Sequence, residues 1–189
     1  FIPLKKREEL FVECYTMLSA MKARVWIANG TLLGAVREGD FIIDDDDIDM
    51  DMIEDEFRII MYDMKLAFIK AGYVVRLQDE KNPKMSINKS GFKLSIGGLK
   101  PSGKWLTRPI QKYPRHLFSE EEFLEFKGIK CLVPHPPEDY LEDVYGKNWK
   151  VPINSDDWTE YHSIKFWNFR SKAAYLIALK ILIKRLKKL

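Results

Sequence analysis

The sequence predicts an α+β fold, with a mixed or antiparallel sheet flanked by helices. Two patterns carry that prediction. Apolar residues recur at helical spacing in some stretches, and short β-branched or aromatic runs between turn residues mark strands in others. The two kinds of element mix without strict strand–helix–strand alternation, which argues against a doubly wound parallel sheet. A chain of 189 residues has the size of one ordinary domain and can bury a core without a disulfide or metal staple.

The elements follow in order. Leu10, Phe11, Cys14, Leu18 and Met21 form one apolar stripe, so residues 4–22 read as an amphipathic helix. Arg24 to Ala28 is a short strand, followed by the turn signal Asn29-Gly30. Thr31 then caps a short helix that Gly39-Asp40 breaks. Residues 47–52 alternate Asp-Ile-Asp-Met-Asp-Met, a strand with one apolar face. Glu54 to Ala71 is a second long helix, with acids in its first turn and Gly72 at its end. Tyr73–Gln78, Lys84–Asn88 and Phe92–Ile96 read as three strands, with Gly97-Gly98 and Pro101-Ser102-Gly103 as loop punctuation. Phe123–Val133 is a strand or hairpin edge, and Pro136 opens a helix that ends before Gly146. A catalytic domain over 1–162 and a basic amphipathic helix over 163–189 complete the expected organisation.

Composition excludes several classes. Apolar residues are 46% and charged residues 31% of the chain, which rules out a disordered or collagen-like protein. No apolar run reaches the ~18 residues of a spanning helix. Cys14 and Cys131 read as ordinary thiols, and His116, His135 and His162 lack zinc-ligand spacing. The net charge of +3 hides an asymmetry: eight bases and no acid follow Ser163, which leaves residues 1–162 at −5. An acidic body argues against nucleic acid as a partner. The tail mixes its bases with Phe166, Trp167, Tyr175, Leu176, Leu179 and Ile183. That composition suits contact with an anionic membrane surface, and equally a helix packed on the domain or on a second copy. The chain opens at Phe1 without methionine, so a trimmed upstream segment is expected and a missing leader carries no weight.

The chemistry concentrates in Asp44 to Asp51, with six carboxylates in eight residues. On a strand, Asp47, Asp49 and Asp51 share a face about 7 Å apart, and adjacent pairs repel by roughly 2–3 kcal/mol at an effective dielectric near 20. A hard divalent cation such as Mg²⁺ or Mn²⁺ would remove that repulsion, and full solvation is the alternative. Asn29-Gly30-Thr31 precedes the acids. It reads either as an ordinary turn and cap or as a phosphate grip at a helix N-terminus. Arg37, farther along the same helix, is a bidentate phosphate donor or an ion-pair partner of the acids. The other scattered bases, Lys5, Lys6 and Arg7 among them, read as surface.

Gly30-Thr31-Leu32-Leu33-Gly34-Ala35-Val36-Arg37, Phe41-Ile42 and Asp45-Asp46-Asp47-Ile48-Asp49 together resemble the signature of the LicD/fukutin family of the nucleotidyltransferase superfamily. A second match runs from Phe126-Lys127-Gly128-Ile129 through Val133-Pro134 to Tyr145-Gly146-Lys147-Asn148-Trp149. The resemblance implies a nucleotidyltransferase-like mixed sheet. It also implies transfer of a phospho-alcohol from a CDP-alcohol, such as CDP-choline or CDP-ribitol, to a hydroxyl of a glycan or lipid-linked glycan. The glycan would belong to a lipopolysaccharide, capsule or teichoic acid. By the same resemblance Asp47 and Asp49 bind the metal and Asp45 joins them in catalysis. Gly30, Thr31 and Arg37 would hold the nucleotide phosphates, and Tyr145 and Trp149 would brace the fold beside the site. The expected compartment is the cytoplasm, at the inner membrane face, with a Golgi lumen as the alternative. Three departures stand out. Asp44 replaces a tryptophan, Asn29 replaces a glycine, and Leu94-Ser95-Ile96-Gly97-Gly98 lacks the acid that the family carries on a later strand. Transfer of NMP to a small molecule or protein, and an inactive scaffold of the same fold, are the competing readings.

Overall fold

The computed structural model describes residues 3–43, 45–78 and 81–153, with five further helical positions at Tyr175, Leu176, Leu179, Lys180 and Ile183. Those five are exposed. The rest of the basic tail, including Trp167, lies outside the described residues, as does Trp158 ahead of it. Within residues 3–153 lie four α-helices, α1 (Leu4–Ala20), α2 (Asn29–Arg37), α3 (Glu54–Lys70) and α4 (Pro137–Tyr145). The strands are β1 (Trp26–Ile27), β2 (Ile48–Ile53), β3 (Val74–Gln78), β4 (Lys84–Lys89), β5 (Phe92–Ser102), β6 (Trp105–Thr107), β7 (Lys112–Pro114), β8 (Glu122–Phe126) and β9 (Ile129–Val133). No helix among the described residues is long and apolar enough to cross a membrane.

The sheet runs β3-β4-β5-β2-β1-β9-β8, and the β6–β7 ribbon branches from β5. β2 is parallel to β5 and antiparallel to β1, and β1 is parallel to β9, so the sheet is mixed. β2 puts Ile48, Met50 and Met52 into the core, as the alternation predicts. α3 packs on β2 and β5 with Phe57, Met64 and Phe68 inward. Its outer side leaves Ile59, Tyr62, Leu66 and Ile69 exposed.

Two aromatic clusters fix what lies around β2. Phe11 of α1, Phe41 and Phe126 meet edge to face, with ring centroids 5.0–5.5 Å apart. Phe41 thereby anchors the chain just before the acids. Trp26, Tyr113, Phe118 and Tyr140 form the second cluster, in which Tyr113 and Tyr140 stack at 5.4 Å. Cys14 and Cys131 are free and buried, and burial pushes both thiols up to about 12.

Several sequence expectations shift. α2 begins at Asn29 with Ala28 as its N-cap, so Thr31 is in the first turn and is not the cap. β2 starts at Ile48, leaving Asp47 just ahead of it. β5 does not stop at Ile96 but continues through Gly97-Gly98 to Ser102. Gly98 donates its N–H to the Pro83 carbonyl at 2.8 Å, and a Cβ there would meet the Pro83 ring at 2.6 Å. These glycines are strand positions stripped for close packing, not loop residues. Phe123–Val133 resolves into the β8–β9 hairpin, turned at Lys127 and Gly128 in left-handed backbone.

Gly34 meets the segment that feeds the acids. A Cβ there would stand 2.5 Å from the Asp40 carbonyl oxygen and 3.0 Å from the Ile42 nitrogen, both backbone atoms. Gly34→Ala is therefore expected to lower stability by about 2 kcal/mol or more, read as a fall in the denaturant midpoint. An unchanged midpoint would show that residues 40–42 yield without cost.

Candidate active site

The site forms where β1 ends, α2 begins and β2 runs alongside. Asn29 sits in left-handed backbone at φ +44°, where glycine is the usual choice. Its buried side chain shows what an asparagine gains there. Nδ2 donates to Asp49 Oδ2 at 3.3 Å, while Oδ1 accepts from the Tyr113 and Tyr140 hydroxyls at 3.3 and 3.2 Å. The Asn29 backbone N–H also donates to the Tyr140 hydroxyl. Asp49 is held from two further sides. Ser95 donates to its Oδ1 at 2.8 Å, and its own N–H donates to Thr31 Oγ1 at 2.9 Å. Thr31 is thus engaged with β2, which answers the capping expectation.

Gly30 serves a neighbour as well. A Cβ at Gly30 would land on the Asp45 carboxylate, so the absent side chain is what lets Asp45 lie against the start of α2. Asp45, Asp46 and Asp47 each offer an oxygen within 4.8 Å of the others. Asp46 is exposed and paired with Lys93 of β5. Asp49, the other expected ligand, stands beside this trio with its oxygens engaged by Asn29 and Ser95.

A residue the sequence reading placed on the surface holds the loop. Arg7 of α1 is only 5% exposed. Its guanidinium donates to the Asp47 carbonyl at 2.9 Å and the Ile42 carbonyl at 3.3 Å, and it lies over the Phe41 ring. Burial lowers its pKa, and the charges of Asp45, Asp47 and Asp46 counter that effect. Arg7 therefore clamps both ends of the acid loop and places a cation behind it. Its position on the inward side of α1, in line with Phe11, Cys14 and Leu18, was the available signal.

Burial, then repulsion from Asp47, pushes the Asp45 carboxyl up to about 7. Asp47 is raised as well, by burial and by Asp49. Carboxylates crowded so that they resist ionising are suited to a hard cation, which favours their charged form. The donor set of Asp45, Asp46 and Asp47, all oxygen, fits Mg²⁺ or Mn²⁺.

The remaining expected residues are placed as follows. Arg37 ends α2, pairs with Glu38 at 2.6 Å and donates to the Trp149 carbonyl at 3.4 Å, so its ion pair is not with the acidic run. Trp149 is buried there, and Tyr145 lies close enough that Asp49 and Asp45 raise its hydroxyl pKa beyond the effect of burial. Asp51 shares the face of Asp49 but does not open to the site. It is fully buried and paired with Arg108, whose guanidinium occupies the space a Cβ on Gly97 would need. Ser95 pairs with Asp49 across the β2–β5 ladder. In the stretch where the resemblance leads one to expect a further acid, this chain therefore has the Ser95 hydroxyl and, two residues along, Gly97, over which Arg108 lies.

The LicD/FKTN/FKRP nucleotidyltransferase domain matches residues 22–136. The chain belongs to this family. It is 29% identical over 166 residues to ribitol-5-phosphate transferase FKTN of Mus musculus, covering 82% of this chain and 35% of that protein. It is 29% identical over 125 residues to the uncharacterized protein RP689 of Rickettsia prowazekii, covering 65% of this chain and 45% of that one. The chain thus spans about a third to under half of these relatives. Among solved structures, the antibiotic-resistance factor ANT(2″)-Ia aligns with a TM-score of 0.54 at 14% identity, over 95% of this chain and 86% of that one. The nucleotidyltransferase-like mixed sheet flanked by helices is the fold expected from the sequence.

Two measurements probe this LicD-type site. Arg7→Lys keeps a charge but loses the planar fork that spans both carbonyls. We expect a stability loss of about 1–3 kcal/mol, as for a buried charged hydrogen bond, and weaker Mn²⁺ binding by calorimetry. Equal Mn²⁺ affinity would separate the clamp from the acids. The second is pH. The folded-state pKa of Asp45, about 7, lies above the unfolded value near 4. Its contribution to metal-free stability is therefore present below pH 4 and lost as pH rises through 7. Asp45→Asn should flatten that part of the stability–pH curve. A curve of unchanged slope between pH 5 and 8 would refute the assignment.

Proposed function

We propose that this domain transfers a phospho-alcohol, choline phosphate or ribitol phosphate in type, from a CDP-alcohol to a glycan hydroxyl, with Mg²⁺ or Mn²⁺ as cofactor. The observation that carries this reading is the convergence of Asp45 and Asp49 on the N-terminal turn of α2, with Asp47 beside Asp45. Phosphoryl transfer asks a protein for positioning and charge neutralisation more than for covalent work. When bound, the divalent ion supplies Lewis-acid neutralisation of phosphate oxygens. The chain's own residues do the rest. The first turn of α2 offers backbone N–H groups and the positive end of a helix to the donor phosphates. Arg37, at the far end of α2, adds a guanidinium. Asn29 and Ser95 hold the two carboxylate oxygens of Asp49, and the Thr31 hydroxyl holds its backbone N–H. Asp45, which lies against the start of α2, takes the proton of the attacking hydroxyl on a carboxylate oxygen. The new O–P bond forms at the alcohol-bearing phosphorus as its bond to the bridging oxygen breaks, and CMP leaves with that oxygen.

A second reading has a specific observation in its favour. Ser95 stands on β5 opposite Asp49, where the sequence departs from the family's acid. An inactive glycan- or membrane-binding scaffold would tolerate that loss. NMP transfer from a nucleoside triphosphate is separated from both by release of pyrophosphate instead of CMP.

The deciding experiment incubates the protein with CDP-choline, CDP-ribitol and related CDP-alcohols, with Mg²⁺ or Mn²⁺, and scores CMP release together with protection against thermal unfolding. Asp47→Asn and Asp49→Asn are expected to abolish release while the folded far-UV signal persists. Full activity of Asp49→Asn would defeat the mechanism. Arg37→Lys should lower kcat/KM at least tenfold, about 1.4 kcal/mol of transition-state stabilisation. Unchanged kinetics with a lower melting temperature would instead make Arg37 a brace for the Trp149 segment.

A further inference from the structure

Between Lys81 and Ser119 the sequence holds nine bases and no acid. An ordinary solvated sheet face mixes both signs. Strand register shows where some of these cations fall. Asp49 pairs with Ser95, Ser95 with Ser86, and Ser86 with Arg76, making one row across β2, β5, β4 and β3. The next row is Asp51, Gly97, Lys84 and Gln78. Paired residues point to the same side of a sheet, so Arg76, Lys84 and Ser86 share the face of the catalytic acids. The intervening residues Met85, Ile87, Leu94 and Ile96 are buried on the other face. Lys84 and Ser86 are half-buried, and Arg76 is exposed. Lys93 of the same face reaches Asp46, and Lys84 is near enough to Asp47 to favour its charged form. Arg108 arrives on this face as well, over Gly97.

β2 therefore has two unlike flanks. On the β1 side lies the first turn of α2, with Asn29, Gly30 and Thr31. On the β5 side lies a polar, cationic floor reaching two strands beyond the acids. In-line transfer brings attacking and leaving oxygens to opposite sides of one phosphorus, so two substrates must approach the acids from different directions. We propose that the floor of Arg76, Lys84 and Ser86 binds the acceptor, and that the acceptor is an anionic glycan carrying phosphate or carboxylate near the reacting hydroxyl. This rests on the phospho-alcohol transfer reading, in which the α2 flank takes the donor. An acceptor with fixed negative charge would otherwise be repelled by the acid loop. The cations of β3 and β4 offset that repulsion and hold the hydroxyl end towards Asp45.

The test uses the full chain with Mn²⁺ and four probes: glucose 6-phosphate, glucuronate, glucose and CDP. Binding of the sugars is read by saturation-transfer NMR, and binding of CDP by calorimetry. We expect glucose 6-phosphate or glucuronate to bind at least tenfold tighter than glucose, with an affinity that falls as NaCl is raised. The two anionic arms tell phosphate from carboxylate recognition. Arg76→Gln/Lys84→Gln should remove that preference while CDP and Mn²⁺ still bind. Equal binding of charged and neutral sugars, or an unaltered preference in the double variant, overturns the proposal. Loss of CDP binding in the double variant overturns it too, because the floor would then serve the donor. If wild type binds the anionic sugars but neither CDP nor Mn²⁺, the transfer reading has failed and the acceptor assignment falls with it. If it binds CDP and Mn²⁺ but no anionic sugar, the acceptor proposal alone is lost.

Discussion

Carboxylates that repel one another must be kept together, and much of the fold answers that constraint. Asp45, Asp46 and Asp47 bring oxygens within 4.8 Å, and Asp49 stands next to them. Each is held by a different part of the chain. Arg7 on α1 ties the loop by its carbonyls at residues 42 and 47. Lys93 on β5 takes the exposed Asp46. The bare α-carbon of Gly30 leaves room for Asp45. Asn29 and Ser95 hold the two oxygens of Asp49. The cations stand behind or beside the loop, and Asp45 and Asp47 retain raised pKa values. The site remains prepared for an additional positive charge.

Asn29 links that site to the second aromatic cluster. Its carbonyl oxygen collects the hydroxyls of Tyr113 and Tyr140, which stack on each other 84 and 111 residues farther along the chain. A glycine would relieve the left-handed backbone but could not make these bonds. Losing a buried hydrogen bond of this kind costs about 1 kcal/mol or more, comparable to the backbone strain that glycine would remove. Here the side chain offers a reason for the departure from the family pattern.

The β2–β5 seam gives the site its second departure. Ser95 supports Asp49 without adding charge, and Asp51 is neutralised by Arg108 through the gap at Gly97. One wall of the site is thereby less negative than a row of acids would be. Beyond it the same sheet face continues with Lys84 and Arg76. The polarity of the site thus changes sign over three strands, an arrangement that β4 and β3 create by pairing in register.

The sequence by itself determined the alternation of β2, the helices at both ends of the domain, and the family motifs. These depend on residues close in the chain, where period and capping act directly. It also marked Asp45, Asp47 and Asp49, because crowded acids are unusual wherever they occur. What only the tertiary structure decided was how those acids are held. Arg7 looked like one more surface base, since nothing local shows that Phe41 and the loop carbonyls will close over it. Gly97-Gly98 looked like a break, because a glycine stripped for an arginine and a glycine in a turn are alike in one dimension. Thr31 looked like a cap until β2 came alongside to donate Asp49 N–H. Long-range pairing sets these roles, and a pairing between residues 7 and 47, or 51 and 108, leaves no periodic trace in a single sequence.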